Sequence, residues 1–275
     1  MIPCLEGPKL DCPMVFGLSS LSLSTLGKPV QGLQDDFLKS SSFDPSRNFF
    51  VDRNNSVCTA RNSIMAFSLF SSGLEDISKA VVDSLLGSSL FRENHFVRSS
   101  SDESLVVHSN LWAVLAFIQQ GRVELARKIF SFLDAREFAS VDCKTGESKV
   151  FSDDLALAAV ASWFLDERER ALEILSKLRK DFFDSEKRLF CRSSGEKVFS
   201  TYKNAFCVMA SRVCGFEQEA DHVAEALVRE LQDVDGRFVQ TDLDNMKLSD
   251  NTLLALVACQ GKTVFDGLNG GIKNE

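Results

Sequence analysis

The sequence predicts an all-α fold: an (α/α) toroid of about six helical hairpins, the last incomplete. Three observations carry this expectation. A pattern recurs about every 44 to 50 residues, each copy holds two helices of different character, and an aromatic link of similar composition joins one copy to the next. Repetition at such a period dictates architecture ahead of any motif, because one hairpin cannot bury its apolar face alone.

Taken in order, the first copy is degenerate. Asp11-Cys12-Pro13 reads as a helix start with Pro in the first turn, the segment runs to Gly27, and Pro29 begins the next helix. The next five copies open on Asn62, Asn110, Asp154, Asn204 and Asn251, separated by 48, 44, 50 and 47 residues. Gly73, Gly121 and Gly215 follow their Asn by eleven residues and Gly261 by ten, while the third copy uses Asp166-Glu167. Glycine there suits a helix C-terminus closed by a left-handed residue. The first helices of the copies are expected near 13–26, 59–72, 108–120, 153–165, 202–214 and 250–260.

Those first helices are apolar almost all round, as in 111–118, 155–165, 205–210 and 253–259, and a helix without a polar face must be surrounded. The second helices carry a single stripe. Val123, Ala126, Ile129, Phe130 and Leu133 form one, and Ala171, Ile174, Leu175 and Leu178 another, with Glu124, Arg127, Lys128, Glu173, Lys177 and Lys180 opposite. An apolar inner layer inside an amphipathic outer layer is what stacked hairpins produce, and six of them close into a ring. The links 47–53, 94–98, 188–192 and 236–240 each hold Phe with Arg nearby and lie 12 to 14 residues before the next Asn. Too long for tight solenoid turns, they read as extended pieces lining one rim, with Phe plugging the gap between hairpins. The tail beyond Gly261, with Asn269-Gly270-Gly271, is too short and Gly-rich for a full sixth outer helix.

Composition places residues 1–275 in one globular domain, expected to be cytoplasmic. The chain is 44% hydrophobic and 25% charged, with no apolar leader and no run approaching the roughly 20 residues of a membrane span. Eight cysteines without CxxC spacing read as reduced, small core hydrophobes. A formal charge of −8 without a basic run argues against nucleic acid, whose binding relies on Lys and Arg at phosphates. Nothing indicates a membrane partner, a metal site or a cofactor: there is no phosphate loop, GxGxxG, GxSxG or HExxH.

Polar residues recur in register only at the starts of the inner helices. Cys58, Thr59, Arg61 and Asn62 stand at one; His108, Ser109 and Asn110 at the next; then Ser152, Asp153 and Asp154; Thr201, Tyr202, Lys203 and Asn204; and Ser249, Asp250 and Asn251. Many of these are preferred N-cap types, so helix capping is the plain account of them. Two adjacent acids are the exception, since one cap needs one side chain. In a closed ring these starts share a mouth toward which helix N–H groups and dipoles point, suited to hydroxyl-rich or anionic ligands.

The phrases 109–116 (SNLWAVLA), 152–161 (SDDLALAAVA) and 249–256 (SDNTLLAL), each followed by a turn and an amphipathic helix, resemble the six-hairpin glycosidase-like superfamily across nearly the whole chain. The likeness is one of pattern and matches no single family's catalytic motif. It implies a carbohydrate-processing or glycan-binding protein, taking a small-molecule or glycan ligand. Asp153, Asp154 and Asp250 would then supply acid and base, assisted by His108. Arg61, Asn62, Asn110, Tyr202, Asn204 and Asn251 would hold substrate. If an enzyme, it would resemble a glycoside hydrolase or a sugar epimerase. The 23 Phe against two Trp and one Tyr also bring a weaker resemblance to terpenoid cyclase and prenyltransferase toroids, although the DxDD box is missing. That alternative implies an apolar ligand among Phe and Met side chains. A third reading is a non-catalytic helical scaffold that binds another protein on its rim.

Overall fold

The structure, a computed structural model, describes residues 13–28, 38, 43–51, 55–244, 246, 249–266 and 268. The chain divides into two compact units, with Lys9–Ser148 the body of one and Lys149–Asp266 of the other. In the N-terminal unit the inner helices are α1 (Pro13–Thr25), α2 (Thr59–Ser71) and α4 (Val107–Gln119), with α3 (Glu75–Leu86) and α5 (Val123–Asp134) outside them. In the C-terminal unit α6 (Ser152–Phe164), α8 (Thr201–Val213) and α10 (Ser249–Cys259) are inner, and α7 (Arg168–Phe182) and α9 (Glu217–Leu231) outer. Asp11, Cys12 and the helix expected from Pro29 lie outside the described residues, as does most of the tail after Gly261.

The two kinds of helix are as the apolar pattern demands. Every residue of α4 from Ser109 to Gln119 is buried, and in α6 all but Trp163 are. Trp163, expected in the core, is half-buried beneath the Arg168 guanidinium, 5.1 Å from its ring. The outer helices bury one stripe each, Ala126, Ile129, Phe130 and Leu133 in α5 and Ala171, Ile174, Leu175, Leu178 and Phe182 in α7. Neighbouring inner helices run parallel within a unit. Gln119 at the end of α4 donates to Ser71 at the end of α2 (2.7 Å), and Arg212 near the end of α8 donates to the Ala258 carbonyl near the end of α10.

All six inner helices end in the same turn. The N–H of the residue two past the C-cap returns to a carbonyl five residues back: Lys28 to Leu23, Leu74 to Leu69, Arg122 to Phe117, Glu167 to Ser162, Phe216 to Ser211 and Lys262 to Val257, at 2.8–3.2 Å. The residue between adopts positive φ, +85° at Gly215 and +63° at Asp166, the one copy without glycine. A side chain in that conformation costs roughly 1–2 kcal/mol.

The links, expected as simple extended pieces, are small β-hairpins. In the N-terminal unit β1 (Phe43–Asp44) pairs with β2 (Phe49–Phe50), and β3 (Phe91–Arg92), β4 (His95–Ser99), β5 (Asp102–Leu105) and β6 (Ser140–Val141) follow one another in an antiparallel sheet. Strand β7 (Ser148–Lys149) falls where one unit gives way to the next. In the C-terminal unit β8 (Phe183–Asp184), β9 (Leu189–Ser193) and β10 (Glu196–Phe199) pair antiparallel. Cross-strand Phe pairs close three hairpins: Phe43 with Phe50, Phe91 with Phe96 and Phe183 with Phe190, with ring centroids 4.8–5.2 Å apart. The second Phe of each pair, and Phe238 in the last link, is buried to 1% exposure or less and plugs the layer as expected. Each contributes about 1.5–3 kcal/mol by burial.

One side chain ties each plug to its inner helix. Asn62 accepts from the Phe50 N–H (2.7 Å) and donates to the Phe50 carbonyl (2.9 Å) and to Cys58, four residues back on its own helix (3.0 Å). Asn110 does the same to Phe96 and Val106, and Asn204 to Phe190 and Ser200. The primary amide thus stands in for a missing strand partner, offering both donor and acceptor.

Candidate active site at the inner-helix starts

This clamp sets the register of the site. The N-caps are Cys58, Val106, Phe151 and Ser200, and each clamp Asn is the fourth residue after its cap. On α6 the fourth position is Leu155, fully buried, and on α10 the Phe238 N–H is held by Thr252 Oγ1 (3.2 Å). Asp154 and Asn251, which the spacing aligned with the asparagines, therefore lie one residue earlier than the clamp. A carboxylate has no hydrogen to give a backbone carbonyl, so Asp154 is no equivalent of Asn110.

The first position after the cap also has a structural duty. Thr59 Oγ1 donates to the Val97 carbonyl (2.6 Å), Ser152 Oγ to Arg192 and Thr201 Oγ1 to Val239, each stapling a helix start to the following link. In α4 the polarity is reversed: the Val107 N–H donates to Ser140 Oγ (2.9 Å). None of the four N-cap residues makes a side-chain cap bond. On α2, α4, α6 and α8 the polar residues singled out, Cys58 apart, are therefore not N-caps. On α2, α4, α6 and α8 positions one and four are spent on the fold, and positions two and three are left: Ala60 and Arg61, His108 and Ser109, Asp153 and Asp154, Tyr202 and Lys203, with Asp250 and Asn251 at the same places on α10.

The substrate-binding expectations divide accordingly. Asn62, Asn110 and Asn204 are completely buried, with both amide ends engaged by backbone rather than presented to a ligand. Arg61 and Tyr202 are half-buried, and Asn251 is 3% exposed. The side chain of Asp250 lies outside the described residues.

In the N-terminal unit His108 is half-buried at the second position of α4. Trp112, one turn on, donates its indole N–H to His108 Nε2 (3.1 Å), which leaves the proton of the neutral ring on Nδ1. Trp112 itself is fully buried, edge-on to Phe67 at 5.5 Å, so the ring that orients His108 is held by the core.

In the C-terminal unit Asp153 and Asp154 are 4% and 1% exposed. Lys203, at the third position of α8, forms an ion pair with Asp153, and its ammonium sits 4.6 Å from the Phe151 ring centroid. Lys149 is 5.6 Å from the same ring centroid and paired with Glu196. Lys149, with Ser193 and Arg192, brings the Glu196 carboxyl down to about 2. Deeper along α8, burial pushes the Cys207 thiol well up, which makes it a neutral core group. Tyr202 packs edge-on against Phe206 at 4.8 Å. Lys203 was visible among the polar starts of the sequence but was not singled out. Its signal is the register: it falls at a position with no structural duty, one helix along from an acid.

No protein-family profile and no curated sequence matches the chain. Solved structures do. A D-mannose isomerase superposes with a TM-score of 0.69 at 10% identity, covering 90% of this chain and 86% of that one. A sugar epimerase from a ruminal bacterium gives 0.67 at 12% identity over 92% and 88% of the two chains. A GH76 α-mannanase of Bacteroides thetaiotaomicron gives 0.62 at 10% identity over 91% and 84%. These neighbours are carbohydrate-processing enzymes, and at such identities the likeness is one of architecture. Among the described residues no helix is long and apolar enough to cross a membrane. The chain has the (α/α) toroid fold of these structures, read first from its repeats and borne out by alignments over nine-tenths of its length.

Proposed function

We propose that the protein processes or binds carbohydrate through side chains at the second and third positions of its inner helices, with Asp153, Asp154 and Asp250 as the acid and base groups and His108 assisting. The observation that carries this reading is the division of labour along each helix start. Clamping and stapling are complete without these residues, capping does not use them, and yet two adjacent acids are buried there. Burying a carboxyl costs several kcal/mol, offset at Asp153 by Lys203, and two adjacent buried acids at positions that carry neither clamp nor staple mark a candidate functional site. Arg61, Tyr202 and Asn251 share the same positions and are assigned to holding substrate.

Acid and base chemistry at a sugar needs one group to give a proton and one to take it, on an oxygen for hydrolysis or on a carbon beside a carbonyl for epimerisation and isomerisation. Carboxyls and a half-buried imidazole supply both. The test is turnover and melting of the purified protein with D-mannose, D-glucose and α-mannan. Expected is a sugar-dependent rise in Tm or product formation that is lost in Asp153→Asn and Asp154→Asn and weakened in Asp250→Asn and His108→Ala. A protein indifferent to all three sugars, or acid variants that respond as well as wild type, removes the reading.

A further inference from the structure

We infer that Lys203 is a positioning residue, holding Asp153 as an ionised carboxylate of fixed orientation, so that Asp153 is the base of the site and the proton donor is a different group. The inference deepens the carbohydrate reading and rests on it for the word base. The geometry is specific. Lys203 leaves α8 at its third position, its side chain is 15% exposed, and its ammonium is held by two groups at the start of α6 at once: the Asp153 carboxylate and the face of the ring of the N-cap Phe151. Two contacts define a position where one contact leaves a long side chain free to swing. The Asp153 side chain, 5% exposed, is in turn aimed across to the neighbouring helix.

The chemistry follows from charge. A carboxylate against an ammonium in a poorly solvated place keeps its negative form, which makes it a poor acid and a group ready to accept a proton. The second ammonium near the same ring, that of Lys149, is engaged by Glu196. It is Lys203 that serves Asp153. The clamp and staple of α8 are made by Asn204 and Thr201, so Lys203 carries neither duty.

The test is carboxyl-carbon NMR of protein labelled at aspartate, titrated with acid, with the Asp153 resonance assigned as the one missing in Asp153→Asn. In wild type it is expected to keep the ionised shift to lower pH than in Lys203→Met, the midpoint of the variant rising by about one pH unit or more, with Lys203→Arg close to wild type. A midpoint unmoved by Lys203→Met overturns the proposal. Should Lys203→Met fold poorly, the double variant Asp153→Asn with Lys203→Met decides: rescue of its Tm supports the coupled pair, and additive losses sink it. Where a sugar is turned over, the acid limb of kcat/KM is expected to move with the NMR midpoint in Lys203→Met and to stay in place in Lys203→Arg. A wild type that neither turns over nor is stabilised by any of the sugars, with the NMR result intact, removes the carbohydrate reading and leaves the ion pair standing.

Discussion

The two ends of the inner helices obey different rules. At the turn end all six copies close with the same returning hydrogen bond around a residue of positive φ, and five of the six use glycine. At the link end a recurring frame, the staple at position one and the clamp at position four, brackets two positions where only Asp, at the second position of α6 and α10, recurs. Ala, Arg, His, Ser, three Asp, Tyr, Lys and Asn occupy them in five helices. In a repeat protein, what recurs serves the fold, and what fails to recur between recurring residues is free for chemistry.

The sharpest way to break this contrast is to cut a clamp. Asn204→Ala removes the acceptor for the Phe190 N–H and the donors to the Phe190 and Ser200 carbonyls, all in a buried place. Each buried backbone group left without a partner costs about 1–3 kcal/mol, so a loss of about 3 kcal/mol and a fall in Tm of about 10 °C are expected. Calorimetry of Asn62→Ala, Asn110→Ala and Asn204→Ala measures this. Losses below about 1 kcal/mol in all three would mean that the amides are not the tie.

At the turn end the effects are smaller and have both signs. Gly215→Ala places a Cβ at φ +85° and is expected to cost roughly 1–2 kcal/mol, although nothing lies within 4 Å to clash with it. Asp166→Gly relieves the same strain at φ +63° and is expected to raise stability by up to about 1 kcal/mol. Chemical denaturation of the two variants should give opposite shifts in midpoint, and shifts of the same sign would show that these turns are not equivalent.

Much of this was legible in the sequence. Glycines at constant distance, the Asp166 exception, the all-round apolar helices and the Phe plugs were read correctly because each is a local signal with a local cause. The register at Asp154 and Asn251 was not. Leu155 and Thr252 take the clamp position there, and a polar residue one step upstream imitates Asn in one-letter spacing, while only hydrogen-bond partners reveal the slip. The capping account failed for a related reason. Hydroxyls and amides common at N-caps occur one to four residues inside these helices, where a link strand offers them a carbonyl instead. The hairpins in the links were missed because strands of two to five residues carry too few alternations to register as β-structure.

Between the fixed positions, removal of a side chain should leave the fold nearly untouched. Ser109→Ala and Tyr202→Phe are expected within about 0.5 kcal/mol of wild type, against the several expected at the clamps. A large loss at either would return positions two and three to the fold and weaken the proposed site.

The smallest effect concerns acid. The Glu196 carboxyl, on the link strand before α8, is brought to about 2 by Lys149, Ser193 and Arg192, and Asp102, in the strand before α4, to about 2 by Ser104 hydrogen bonds with help from Arg98. A carboxyl whose folded value lies below its unfolded value stabilises the native state above the unfolded value and loses that contribution as pH falls toward 2. Both groups are solvated, so the contribution is modest. Glu196→Gln is therefore expected to melt slightly below wild type at pH 7, with the gap closing between about pH 4 and pH 2. If the gap instead widens in acid, the Lys149 and Arg192 contacts are not what holds this carboxyl. The order of the link would then rest on its strand pairing, the Phe183–Phe190 contact and the Asn204 clamp, which places the stability of this link in its hairpin and its recurring residues.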